Sequence, residues 1–149
     1  MSVGSFVFNP SPRKMTPPAI ARKRTLVVDD SSTILHAICA LLEHHEVVEV
    51  TGRVESGQEA IDLVLELKPE LVLMDADMPG MSGLRTALLL SQIVPETQII
   101  MMSMDTSAQF KEACAGCGAS AVIYKPKFLR EISALLERPL RGARLAARI

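Results

Sequence analysis

The sequence predicts an α/β domain: a five-stranded parallel sheet flanked by five helices. Three observations carry that prediction. Short, continuously apolar runs recur along the chain, at Thr25-Leu26-Val27-Val28, Leu71-Val72-Leu73-Met74, Ile99-Ile100-Met101-Met102 and Ala121-Val122-Ile123-Tyr124. Runs of this kind are the signature of strands buried on both faces. Stretches with apolar residues at helical spacing lie between them. Each run closes on a chemically capable side chain: Asp29 and Asp30 after the first, then Asp75, Ser103 and Lys125. In an open parallel sheet, functional residues gather at the carboxyl ends of the strands. Three acids, a hydroxyl and a lysine are thereby predicted to share one crevice, a set that suits a divalent metal and a phosphoryl group.

Taken in order, the first strand is predicted over 24–29. A helix begins near Ser31, a good capping residue, with Ile34, Leu35, Ile38, Leu41 and Leu42 as its apolar stripe. The second strand is predicted over 46–52. The second helix follows Ser56-Gly57 and carries Ala60, Ile61, Val64, Leu65 and Leu67; Pro69 ends it. Strand three is predicted over 70–75, helix three over 83–91, strand four over 97–102, helix four over 106–116, strand five over 120–124 and helix five over 127–137. Strands alternating with helices imply right-handed crossovers and a parallel sheet.

Length and composition bound the rest. A chain of 149 residues with 48% apolar side chains is one ordinary domain with a core of its own. No apolar run approaches the ~18 residues of a membrane span, and Met1–Pro10 lacks the charged start and apolar centre of a secretion signal. Three cysteines, an odd number, do not suggest a disulfide framework, so a reducing cytoplasm is expected. The net charge of −1 hides a segregation. Residues 1–24 carry +5 and no acid, residues 138–149 carry +4 and no acid, which leaves −10 for the middle. Such an acidic centre argues against nucleic-acid binding by the folded part. Residues 1–22, with Pro10, Pro12, Pro17 and Pro18, read as a flexible basic extension, 23–138 as the domain, and 139–149 as a basic tail.

The motifs carry a family resemblance. Val-Val-Asp-Asp-Ser at 27–31, Leu-Met-Asp-Ala-Asp-Met-Pro-Gly-Met-Ser-Gly at 73–83, Met-Met-Ser at 101–103, Gly-Ala-Ser at 118–120 and Tyr-Lys-Pro at 124–126 occur in the order and at the spacing of a two-component response regulator receiver domain. The chain resembles that family from about Thr25 to about Glu137. The resemblance implies a flavodoxin-like receiver fold with strand order 2-1-3-4-5. It implies that Asp75 accepts a phosphoryl group from a sensor histidine kinase or phosphotransfer protein. Asp29 and Asp30 would hold Mg²⁺ together with Asp75 and the backbone carbonyl of Asp77. Hard oxygen donors of this type suit that ion. Lys125 would contact the phosphoryl oxygens, and Ser103 would supply the switch hydroxyl. Pro126 makes a cis Lys125–Pro126 bond possible, and the family typically has one there. With few residues after the fifth helix, the chain is expected to act as a stand-alone receiver rather than an enzyme. Its downstream protein target would dock on the face of helix four, strand five and helix five.

Two positions depart from the family pattern. Val122 stands where an aromatic residue is usual, two places after Gly118-Ala119-Ser120, and Met104 follows Ser103 where a small residue is usual. A stiff valine has no inward and outward poses comparable to those of an aromatic ring. Met104 adds bulk beside Asp75, while Asp77 and Asp105 add acids there. Met78 and Met81 read as exposed contacts. Cys114-Ala115-Gly116-Cys117 spells C-x-x-C, but at a helix end rather than at the helix start that a redox motif requires. Cys39 reads as core and His36 as a solvated helix residue. Two rival readings remain. A degenerate receiver would act only as a binding module. Asp75-Ala76-Asp77 after a strand also occurs in haloacid-dehalogenase-like phosphatases, although there the motif lies near the N-terminus and Pro79-Gly80 does not follow.

Overall fold

In the computed structural model, which describes residues 21–137, alternate residues of each central strand point to opposite layers, and both layers are apolar. Strands β1 (Lys23–Val28), β2 (Val48–Val54), β3 (Leu71–Asp75), β4 (Gln98–Ser103) and β5 (Ala121–Tyr124) alternate with helices α1 (Ser32–Glu43), α2 (Gly57–Leu67), α3 (Gly83–Ile93), α4 (Ala108–Gly116) and α5 (Phe128–Glu137). All strand pairs are parallel, in the order β2-β1-β3-β4-β5. One face of the sheet sends Leu26, Val28, Val72, Met74, Ile99 and Met101 against Ala60 and Val64 of α2, Ala87 and Leu90 of α3 and Cys114 of α4. The other face sends Val27, Leu71, Leu73, Ile100, Met102 and Ile123 against Leu35, Ile38, Cys39 and Leu42 of α1 and Phe128, Ile132 and Leu136 of α5. Burial of one such large side chain stabilises the fold by about 1.5–3 kcal/mol. This two-sided burial is why the strands read as unbroken apolar runs.

Serine hydroxyls begin four of the helices. Ser31, Ser56, Ser82 and Ser107 accept from the amides of Ile34, Glu59, Arg85 and Phe110 at 3.2–3.3 Å. Each cap is worth about 1 kcal/mol, and each lies in a loop leaving the carboxyl end of a strand. The helices therefore start on the side of the sheet where the polar residues collect.

Several expectations need correction. Strand β2 begins and ends two residues later than predicted: Glu46 and Val47 stay outside it, and buried Val54 closes it. It is an edge strand, and its pairing with β1 shifts register between Thr25 and Leu26, so it lacks the uniform apolar run that marked its neighbours. Ile34, Leu41 and Leu65 are 40%, 43% and 61% exposed; on α1 the buried row is Leu35, Ile38, Cys39 and Leu42, and Ile34 and Leu41 flank it. Met78 is buried rather than exposed, and Met81 is half-buried. No described peptide bond is cis, Lys125–Pro126 included. Instead Lys125–Lys127 form a 3₁₀ turn with proline near its start, where the fixed φ of the ring and its missing N–H fit. Cys39 is buried and His36 exposed, as expected. The tail 139–149 and all but the last two residues of the extension 1–22 lie outside the described residues. No helix among the described residues is long and apolar enough to cross a membrane.

Candidate functional site

The parallel register aligns four strand ends. Val28 pairs with Met74, Asp75 with Met102, and Ser103 with Tyr124. The next residue after β1 is therefore Asp29, level with Asp75 at the end of β3, Ser103 at the end of β4 and Lys125 just past β5. Asp29, Asp75 and Ser103 are all but fully buried, whereas Asp30 is exposed. The hydrophobic strands hold these polar groups at the rim of the core, where each must find a partner.

Their partners are one another and the nearby backbone. Lys125 Nζ lies 3.0 Å from Asp29 Oδ2 and 2.9 Å from Asp75 Oδ1. Asp29 Oδ1 accepts from the Ser31 amide at 2.9 Å. Asp75 Oδ1 also accepts from the Asp77 amide at 3.1 Å. Carboxylate oxygens of Asp29, Asp30 and Asp75 lie within 4.8 Å of one another. Two oxygens on opposite sides of one six-coordinate Mg²⁺ are about 4 Å apart, and Asp30 is exposed and free to close the difference. The donor set, three hard oxygens with one lysine, fits a hard dication. Ser103 Oγ accepts from the Asp105 amide at 2.9 Å.

Burial dominates the electrostatics. It pushes the Asp75 carboxyl up to about 6, against the hydrogen bonds from Lys125 and the Asp77 amide, which pull it down; the nearby Asp29 charge adds to the rise. Burial also works to lower the Lys125 pKa, but the two carboxylates it touches together outweigh that, and the net shift is upward. Lys125 is thus held as a cation. Asp105 is held below the usual carboxylate range by the amide and hydroxyl of Ser107.

The structure thereby brings together Asp29, Asp30, Asp75 and Lys125, with Ser103 at the adjoining strand end. The Asp77 side chain faces solvent, and only its amide reaches Asp75. Met104 is 60% exposed. Val122 is half-buried and packs against the core on the α2–α4 side of the sheet. Cys114 is buried at the end of α4, its thiol pushed up to about 11 by burial and by the neighbouring Cys117 and Asp105; Cys117 is raised by burial. Two thiols kept protonated are poor nucleophiles. Glu131 was not legible as part of this region: its carboxylate accepts from the Tyr124 amide at 2.8 Å, a contact between residues seven apart that no motif announces.

A family model for the response regulator receiver domain matches residues 25–137. The chain belongs to that family. Similar proteins include the protein-glutamate methylesterase/protein-glutamine glutaminase of Methanococcoides burtonii, 40% identical over 112 residues that cover 74% of this chain and 32% of that protein. The response regulator GacA of Pseudomonas aeruginosa is 29% identical over 121 residues, covering 81% and 56% respectively. The receiver thus spans less than two thirds of the length of either relative. Among solved structures, the response regulator domain of Thermotoga maritima CheB superposes with a TM-score of 0.69 at 28% identity, over 86% of this chain and 98% of that one. The Vibrio cholerae chemotaxis protein CheY4 gives 0.71 at 25% identity, over 80% and 100%.

Proposed function

We propose that this receiver takes a phosphoryl group from a sensor histidine kinase or phosphotransfer protein onto Asp75, and that the modified domain changes its affinity for a downstream protein. The observation that carries the reading is the Lys125 ammonium lodged between Asp29 and Asp75 at a rim of three carboxylates. Phosphoryl transfer asks a protein mainly for positioning and charge neutralisation. Asp75 supplies the attacking oxygen; the phosphorus–nitrogen bond of the donor histidine breaks as the phosphorus–oxygen bond forms, and the imidazole leaves with a proton. Asp29, Asp30, Asp75 and the carbonyl of Asp77 would hold Mg²⁺, whose charge offsets that of the phosphoryl oxygens. Lys125 offsets part of the charge of Asp29 and Asp75 beforehand and meets the phosphoryl oxygens afterwards. Ser103 exchanges its bond with the Asp105 amide for one donated to the new group. That exchange is the differential interaction a population shift requires.

The output surface in this reading is the face of α4, β5 and α5. The domain runs from 23 to 138 between two basic extensions, works in the cytoplasm, and neither turns over a substrate nor binds nucleic acid directly. The experiment is phosphorylation by a small acyl phosphate with Mg²⁺, read by intact mass. One phosphoryl adduct is expected, absent in Asp75→Asn. An adduct that forms at the normal rate in that variant overturns the assignment.

A further inference from the structure

Lys125 can bridge two buried carboxylates only if its backbone is held still. A lysine side chain carries up to about 2 kcal/mol of rotamer entropy, and its Nζ must meet two oxygens, at 2.9 and 3.0 Å, at once. The sheet holds it from one side only: β5 is an edge strand, and its pairing with β4 ends at Ser103–Tyr124. Pro126 has no N–H to give. The 3₁₀ turn over Lys125–Lys127 closes through the Phe128 amide on the Lys125 carbonyl, which fixes the downstream side. On the upstream side, the Tyr124 amide donates to Glu131 Oε2 at 2.8 Å.

Glu131 is well placed to serve as that anchor. It sits in the first turn of α5, between Phe128 and Ile132, whose side chains are buried against the sheet. Those neighbours fix the helix, so the carboxylate is presented from a rigid element rather than from a loop. A bond from an amide to a charged acceptor is among the stronger ones. We infer that Glu131 is a positioning residue for Lys125: by holding the end of β5 through the Tyr124 amide, it sets the point from which the lysine reaches Asp29 and Asp75. This inference rests on the phosphoacceptor reading for its functional meaning, not for its geometry. The plain alternative is that Glu131 is only an acid at a helix N-terminus, stabilising the helix by its charge.

Reach and charge can be separated by substitution. Glu131→Asp keeps the charge in the first turn but is one methylene too short for the Tyr124 amide. Glu131→Gln loses the charge but keeps an acceptor oxygen at full reach. Leu136→Ala, at the buried far end of the same helix, is the control for destabilisation. Each full-length variant is given a small acyl phosphate with Mg²⁺, and the adduct is timed by mass. Separately, without phosphate, each is exposed to an amine-acetylating ester and the modification of Lys125 is mapped by peptide mass. Glu131→Asp is expected to form the adduct about tenfold more slowly, the usual scale for losing a group that orients a functional one, and to have Lys125 acetylated several-fold faster. Glu131→Gln and Leu136→Ala should stay near wild type in both assays. Wild-type behaviour of Glu131→Asp beside an impaired Glu131→Gln overturns the proposal in favour of the helix-end charge. So does a Leu136→Ala variant that reproduces the Glu131→Asp defects. Lys125 protection that depends on Glu131 in a protein that takes up no phosphate would support the anchor and reject the phosphoacceptor reading.

Discussion

Asp75 should make the metal-free domain less stable at neutral pH than in mild acid, and Asp75→Asn should remove that dependence. The folded carboxyl holds its proton to about pH 6, against an ordinary value of 3.8, chiefly because it is buried. Between those values the folded state binds more protons than the unfolded one. The free energy of unfolding therefore falls as pH rises through that window. The full gap corresponds to about 3 kcal/mol, accumulated between roughly pH 4 and 6 and present in full above it. Asparagine cannot ionise and keeps an oxygen for the Asp77 amide. It also deprives Lys125 of one of its two carboxylates, which offsets part of the gain. The variant should thus be more stable than wild type by about 1–2 kcal/mol at pH 7 and lose that advantage near pH 4. Urea unfolding of both proteins in a chelator, at several pH values from 4 to 7.5, gives the difference, since titrating groups remote from Asp75 cancel. Parallel curves across the window would refute the reasoning, because the carboxyl removed is the group whose proton uptake sets the slope there.

Asp30→Asn should weaken Mg²⁺ binding, read by calorimetry, by roughly tenfold or about 1.4 kcal/mol, since the number of charged ligands sets affinity for a hard cation; unchanged affinity would remove Asp30 from the site. Ser103→Ala should cost about 1 kcal/mol for the lost bond to the Asp105 amide. It should also leave Asp75 able to take phosphate while abolishing most of the phosphate-dependent change in partner affinity; a full affinity change would sink the switch role. Val122→Ala should lower stability by about 1 kcal/mol, because two carbons are worth at most ~0.8 kcal/mol each and the side chain is only partly covered, and should leave switching intact. Loss of switching in that variant would show that valine takes over the work of the missing aromatic.

The central strands were legible because each is buried on both sides, so Val72, Leu73 and Met74 had no reason to alternate with polar residues. Strand β2 was read two residues early because an edge strand with a register shift has no such uniform pattern. The apolar stripe of α1 was read too wide along one flank: a pattern gives the face of a helix, whereas the depth to which Ile34 and Leu41 sink depends on what lies opposite. At the site, the strand-end positions of Asp29, Asp75, Ser103 and Lys125 followed from the alternation of elements alone. What did not follow was the wiring between them. The lodging of Lys125 between two particular oxygens, the bond of Ser103 to Asp105 and the reach of Glu131 to Tyr124 depend on ångström-scale placement that no residue pattern encodes. The trans bond at Lys125–Pro126 was not legible, because an X–Pro bond loses most of its trans preference and either form fits the sequence.

Gly80, in the loop between β3 and α3, and Gly83, which opens α3, resist replacement for unrelated reasons. Gly80 has φ of +76° and open space where a side chain would go. Its demand is one of backbone handedness, which asparagine or aspartate can partly meet. Gly83 has an ordinary backbone, but a methyl group there would sit 2.0 Å from the carbonyl oxygen of Asp75. Its demand is one of volume, which no other amino acid meets. In a library of random substitutions, position 80 should therefore return a short menu and position 83 an almost empty one. An alanine at 83 leaves the chemistry of every site residue unchanged, yet it must drive the start of α3 away from the strand end that carries Asp75. Tolerance to mutation here is thus set by how closely a helix backbone is seated against Asp75, an intolerance that would be mistaken for a catalytic role if it were read from activity alone.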